Sequence, residues 1–191
     1  MNTLFDLPIV VKQGKKTTER MAGSRNNDVD GDFYPTPDIA TIALLEREQF
    51  NGGIWEPACG NGAMSRVIES YGYVVRSSDL FDRGYGESNI DFLRCVDRAE
   101  NIVTNPPFKY ANQFIHKSLT KSNNKVALLL RLNYMESKTR KKFFQNYKLF
   151  PFKKVWVFSE RIPFNGPGNM MAFAWFIWDK HYQGETQIGW I

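Results

Sequence analysis

Residues 105–108 read Asn-Pro-Pro-Phe, just after the apolar pair Ile102-Val103 and at the head of a helical pattern. An Asn amide oxygen beside a backbone carbonyl held by prolines makes a rigid pair of acceptors, because proline fixes φ. Such a pair suits an amino group attached to a flat ring. Phe108 then supplies an aromatic face on which that ring can stack. The chemistry implied is alkylation of an exocyclic NH2 by Asn105, Pro106, Pro107 and Phe108, and it demands a cofactor site elsewhere in the chain.

Glu56-Pro57-Ala58-Cys59-Gly60-Asn61-Gly62 is the candidate for that site. It joins a short strand to a helix, and its two glycines let the backbone turn tightly and approach a ligand. Ligands of open α/β sheets bind at the carboxyl ends of the strands. The loop lacks the third glycine of a dinucleotide fingerprint and the Gly-Lys-Ser/Thr of a phosphate loop. A lone Gly-x-Gly is weak on its own. Asp79, 23 residues after Glu56, strengthens it. A carboxylate at about that distance can accept both hydroxyl protons of a ribose diol. Asp82 is a less suitable substitute.

Taken together, these residues resemble the S-adenosylmethionine-dependent amino-methyltransferases, most closely the small phage- and prophage-type DNA N6-adenine enzymes. The resemblance covers residues 32–180. Asn105-Pro106-Pro107-Phe108 is similar to the family's catalytic tetrapeptide, and Glu56 to Gly62 to its methionine-binding loop. Phe33-Tyr34-Pro35-Thr36-Pro37 resembles its amino-terminal cofactor segment. The order of the three matches the family's γ-type arrangement. The resemblance assigns cofactor contacts to Tyr34, Thr36, Pro37, Glu56, Pro57, Ala58, Gly60, Gly62, Asp79, Leu80, Asp91, Phe92 and Asn105. Asp79 would hold the ribose, and Asp91-Phe92 the cofactor's adenine. Thr36 is the choice for the methionine carboxylate, with helix capping as its alternative role.

The implied fold is α/β: a Rossmann-like class I methyltransferase, with a mixed seven-stranded sheet, the last strand antiparallel, and helices on both faces. The implied cofactor is S-adenosyl-L-methionine, with S-adenosyl-L-homocysteine as product and no metal. The implied partner is DNA, with RNA second. Enzymes that methylate RNA bases or a glutamine amide share the tetrapeptide, and a silent cofactor-binding subunit is the contrasting class.

The elements that must position these residues are legible as patterns. The motif Thr36-Pro37 marks a helix start, with Thr36 as N-cap and Pro37 at the first helical position. Gly53–Glu56 is a short strand. Met64, Val67, Ile68 and Tyr71 repeat at helical spacing up to Gly72. Strands are expected at Tyr73–Arg76, before Asp91, and at Asn101–Thr104. Ala111, Phe114, Ile115, Ser118 and Leu119 mark the next helix. Val126–Leu132 is almost continuously apolar, as a strand covered on both faces should be. A helix over about 136–147 follows, then strands at Val155–Phe158 and Met171–Trp178. Only a loop separates those two, so they should pair antiparallel. Strands alternating with helices imply parallel pairing elsewhere.

Composition bounds the rest. The chain has 191 residues and 42% apolar residues, enough for one domain with a sizeable core. Residues 1–28 read as a polar tail of net charge +2, and 29–191 as a single domain without a separate target-recognition domain. Cys59 and Cys95 read as reduced thiols, and with only His116 and His181 for histidines a metal site is disfavoured. Leu7 to Val11 is too short for a signal sequence. The longest apolar run, Met170–Trp178, has nine residues against the ~20 a membrane span needs. The expected location is the cytoplasm of a bacterium or an infected host.

Net charge is +5, yet residues 131–161 alone carry nine basic and two acidic residues. Such a concentration suits a polyanion. Lys109, Lys138, Arg140, Lys141, Lys142 and Arg161 are the candidate phosphate contacts. A base inside a duplex must flip out to be alkylated and stack on an aromatic face. Phe108 is the first choice and Phe164 the second. Recognition would fall to segments 133–142 and 159–169, which implies a short or relaxed target. Protection against restriction and regulation of replication are both compatible with that.

Overall fold

The computed structural model describes residues 33–138, 140–141, 144, 150–164 and 171–191. Alternation of side chains along each strand explains its architecture. In β4 (Ser122–Arg131), Val126, Leu128 and Leu130 point to one face, and Ala127 and Leu129 to the other. In β6 (Phe173–Asp179), Ala174, Phe176 and Trp178 join the first face, and Phe173, Trp175 and Ile177 the second. Every one of these eleven residues is buried. Strands that are apolar on both sides require a cover on both sides, so the sheet must lie mid-layer.

Two helices cover one face. They are α1 (Asp38–Leu45), through Ala40, Leu44 and Leu45, and α2 (Ala63–Ser70), through Met64 and Ile68. The other face is covered by α3 (Ala111–Lys121), whose buried residues are Ala111, Phe114, Ile115, Ser118 and Leu119, as their spacing predicts. Phe144 packs on that face too, its ring 4.7 Å from Phe152 and 6.2 Å from Trp178. The expected helix over 136–147 is helical at Lys138, Arg140, Lys141 and Phe144; its other positions beyond Ser137 lie outside the described residues.

The remaining strands are β1 (Ile54–Glu56), β2 (Val75–Ser77), β3 (Ala99–Thr104), β5 (Phe152–Val157) and β7 (Gln187–Trp190). Their spatial order is β2-β1-β3-β4-β6-β5-β7. Pairs β1–β2, β1–β3 and β3–β4 are parallel. The last strand expected from the sequence, β6, lies antiparallel between β4 and β5.

The sheet has seven strands, but two details differ from expectation. No strand forms before Asp91; an isolated bridge, Ser78 to Glu87, takes its place. The segment from Phe81 to Ile90 carries three glycine or asparagine residues at positive φ, Gly84, Gly86 and Asn89, and so turns rather than extends. The seventh strand is instead β7, which pairs parallel to β5. Gly189 has no Cβ there, and one would collide with the Trp156 ring.

Candidate active site

The carboxyl ends of β1, β2, β3 and β4 bring the chemistry together. Glu56 ends β1, and its loop is pinned to the end of β2. Cys59 N–H donates to Ser78 O at 3.0 Å, and Ser78 N–H donates to Glu56 O at 3.0 Å. Pro57 and Gly60 are buried, and Ala58 packs half-buried against the core. Gly60 (φ +56°) and Gly62 (φ +80°) hold left-handed conformations. Each also sits under an aromatic ring. A Cβ on Gly60 would strike Phe33, and one on Gly62 would strike Tyr85. Glycine is therefore required twice over, by φ and by space. Arg83 lies 4.2 Å over the Phe33 ring and adds a cation to this wall. Phe33 appeared in the sequence as part of a motif only, and neither Arg83 nor Tyr85 carried any local signal.

Asp79 is buried, and its carboxylate accepts Gly60 N–H at 2.8 Å and Phe81 N–H at 2.9 Å. These bonds fix the glycine loop against β2. A carboxylate offers about four acceptor positions, so capacity for a diol remains. Leu80 and Phe81 beside it are exposed apolar residues, a surface against which a flat ring could lie.

Glu56 is fully buried, and Ser65 Oγ donates to it. Ser65 Oγ also lies 2.6 Å from Ser77 Oγ. Burial pushes the Glu56 carboxyl up to about 8, with the Asp79 and Glu69 charges adding to the rise against the Ser65 hydrogen bonds. No cation of the described chain forms an ion pair with it. Burial, together with Glu56 and Asp79, likewise raises the Cys59 thiol to about 12.

Asn105 follows β3 directly. Its Nδ2 donates to Thr36 Oγ1 at 3.1 Å. Its Oδ1 is buried and accepts nothing among the described residues. Most buried polar atoms find a partner. Three that do not, Thr104 Oγ1, Asn105 Oδ1 and Arg131 Nε, stand at the carboxyl ends of β3 and β4. Pro106 is buried, and Pro107 is extended (φ −54°, ψ 129°) ahead of the 3-10 turn Phe108–Tyr110. Phe108 stacks with Tyr34 at 6.1 Å and packs on Phe173 at 5.9 Å.

Thr36 departs from its expected position. Helix α1 starts at Asp38 with Pro37 as its cap residue, and no side chain caps it. The buried Thr36 hydroxyl faces Asn105 instead. This contact spans 69 residues, so no local pattern announces it.

Other expected contacts are dispersed. Asp91 accepts Leu93 N–H at 3.0 Å and lies 3.3 Å from Arg94. Phe92 is in the core, 5.2 Å from Trp55 and 5.1 Å from Phe114, so its ring faces protein rather than an open pocket. Phe164 was expected as a wall for a flipped base. It is buried 4.6 Å from Phe173 and offers no open face. Apolar contact across β6 outweighs exposure for a phenyl ring.

Of the expected basic contacts, Lys109, Lys138, Lys141 and Arg161 are exposed. Arg140 is half-buried, 4.0 Å over Tyr134, and donates to Asn133 O at 3.2 Å. Lys142 lies outside the described residues. No group of three or more His, Cys, Asp and Glu side chains suited to a metal ion occurs among the described residues. No helix there is long and apolar enough to cross a membrane.

No family model matches the chain, and no curated protein does either. Solved structures do. A Listeria monocytogenes protein assigned as a class I S-adenosylmethionine-dependent methyltransferase aligns with TM-score 0.63 and 16% identity, over 82% of this chain and 65% of its own. A Pyrococcus horikoshii protein assigned as an RNA methyltransferase aligns with TM-score 0.62 and 14% identity, over 84% of this chain and 93% of its own. The fold is that of the class I methyltransferases. A modification subunit assigned to a type I restriction enzyme of Vibrio vulnificus also aligns, with TM-score 0.56 and 16% identity, over 83% of this chain. The chain spans 46% of that subunit's length. At these identities the likeness describes the fold.

Proposed function

We propose that the protein transfers a methyl group from S-adenosylmethionine to the N6 amino group of adenine in DNA. The observation that carries this reading is Asn105, whose amide NH2 is tied to Thr36 while its Oδ1 is buried and unpaired. A polar atom held this way is an acceptor awaiting a donor.

The residues fit the cofactor. Glu56 is a buried carboxyl with no ion pair among the described residues, suited to an ammonium. Asp79 keeps acceptor capacity for hydroxyls, and Leu80 and Phe81 offer apolar surface. Tyr34, Thr36, Pro37 and the Glu56–Gly62 loop complete the set, with Asp91 nearby in sequence. When bound, the cofactor supplies an electrophilic methyl group on a sulfonium.

Adenine N6 is a poor nucleophile because its lone pair is delocalised into the ring. Asn105 Oδ1 and the Pro106 carbonyl each accept one N6 proton, which localises that pair. Positive charge then grows on nitrogen, and the two acceptor dipoles stabilise it. Proline stiffness keeps the acceptors from relaxing. After transfer the surplus proton leaves to water. Phe108 supports the base, which must be flipped. Lys109, Lys138, Lys141 and Arg161 are exposed cations for the backbone, and phosphate contacts of this kind carry most affinity without reading sequence. Segments 133–142 and 159–169 recognise a short target, with residues 29–191 acting as one domain.

Radiolabelled cofactor offered with duplex DNA, RNA and protein tests the reading. Label is expected in DNA, released as N6-methyldeoxyadenosine on digestion to nucleosides. Label in RNA or protein alone, or in none, would contradict it. A target of six or more base pairs would overturn the short-site expectation.

A further inference from the structure

We propose that Arg131 is the residue that grips the phosphodiester beside the flipped base, building on the nucleic-acid reading above. Arg131 is the last residue of β4, at the carboxyl end of the sheet. Its guanidinium carbon lies 4.0 Å over the centre of the Phe108 ring, so the side chain flanks the tetrapeptide itself. The group is half-buried, and its Nε is buried without a partner.

Other arginines show what is missing. Arg76 pairs with Glu87 at 2.9 Å and Asp97 at 2.8 Å. Arg94 pairs with Asp91, Arg47 with Glu46, and Arg140 and Arg66 donate to backbone carbonyls. Arg131 has an aromatic face beneath it and no acceptor among the described residues. A partly desolvated cation without an anion is costly, and an oxyanion from a bound strand would satisfy it.

A planar guanidinium stacked on a ring keeps its N–H edges free for a bidentate oxyanion. A phosphate gripped there sets the strand's register against Asn105, because the same guanidinium rests on Phe108. The other oxyanion available to this site is the cofactor's carboxylate, and the test separates the two.

Steady-state methylation of an oligonucleotide is measured for wild type, Arg131→Ala and Arg131→Lys, with cofactor affinity and salt dependence for each. For Arg131→Ala, KM for the oligonucleotide should rise about tenfold and the log–log salt slope fall by about one ion, with cofactor affinity unchanged. Arg131→Lys keeps the charge but not the planar fork. It should retain the slope and show an intermediate KM.

Unchanged KM and slope in Arg131→Ala would overturn the inference while leaving the methyltransferase reading intact. A loss that follows cofactor affinity would overturn it in favour of the carboxylate. A wild-type chain that labels no nucleic acid would remove both. If Arg131→Ala does not fold, Arg131→Lys decides: wild-type KM in that variant contradicts a bidentate grip.

Discussion

Two buried glutamates sit at opposite ends of the same sheet, and their surroundings could hardly differ more. At the amino ends of β4 and β5, Glu48 accepts Lys125 Nζ at 2.9 Å, Lys153 Nζ at 3.1 Å and Trp156 Nε1 at 3.1 Å. Asp179 closes the cluster, 3.5 Å from Lys153. Lys125 also donates to Gln49 O at 2.8 Å. Burial alone would raise the Glu48 carboxyl, but the Lys125 hydrogen bond and the two lysine charges outweigh it and hold it below its usual range. At the carboxyl end, Glu56 has only the uncharged hydroxyl and backbone N–H of Ser65 as hydrogen-bond partners among the described residues, and burial wins. One site is closed by the protein's own charges. The other leaves polar groups open, and open groups are what a ligand can satisfy.

Removing a partner from the closed end should do the most damage. Glu48→Ala leaves Lys125 and Lys153 to share the single carboxylate of Asp179, and should cost about 3–5 kcal/mol of unfolding free energy, read by chemical denaturation. The methyl-transfer rate of the folded fraction should not change.

The two carboxyls should also give pH profiles of opposite sign. Glu48 is lowered, so its contribution is present above the unfolded value of 4.5 and lost as pH falls through its lower folded value. Glu56 is raised, so its contribution is full below 4.5 and lost as pH rises through about 8. Between those two values the slope should approach about 1.4 kcal/mol per pH unit at most. Glu56→Gln should flatten the limb between 4.5 and about 8 and leave the limb below 4.5 alone, and Glu48→Gln the reverse. Urea midpoints across pH check both.

The smallest effect concerns orientation. Thr36→Val keeps the volume but removes the acceptor for Asn105 Nδ2. The loss should be about 1 kcal/mol in stability and roughly tenfold in transfer rate by the same principle, with Thr36→Ser restoring the rate. A Thr36→Val enzyme at full rate would show that Asn105 is held by something else.

Much of this arrangement was legible before folding, for a physical reason. The buried residues of α3 recur at helical spacing and those of β4 form one apolar run, so the order of residues alone reveals them. The Asn-Pro-Pro-Phe turn and the glycine loop are local, and local constraints show in sequence. What stayed hidden depends on distant pairs. Thr36 meets Asn105 across the fold, Phe33 and Tyr85 meet the glycines, and Arg131 meets Phe108. Phe164 and Phe92 looked available because aromatic side chains read alike whether they face a ligand or a core. In the edge strand β7, Gly189 lies under the Trp156 ring with no room for a Cβ, a contact between residues 33 apart that no local pattern announces.

The central claim rests on one amide oxygen, and a single-turnover rate tests it most directly. With cofactor and DNA both saturating, Asn105→Ala should transfer methyl about 10²–10³-fold more slowly than wild type, well beyond the about 1 kcal/mol of stability lost with its bond to Thr36. A variant that transfers at near wild-type rate would contradict the acceptor mechanism.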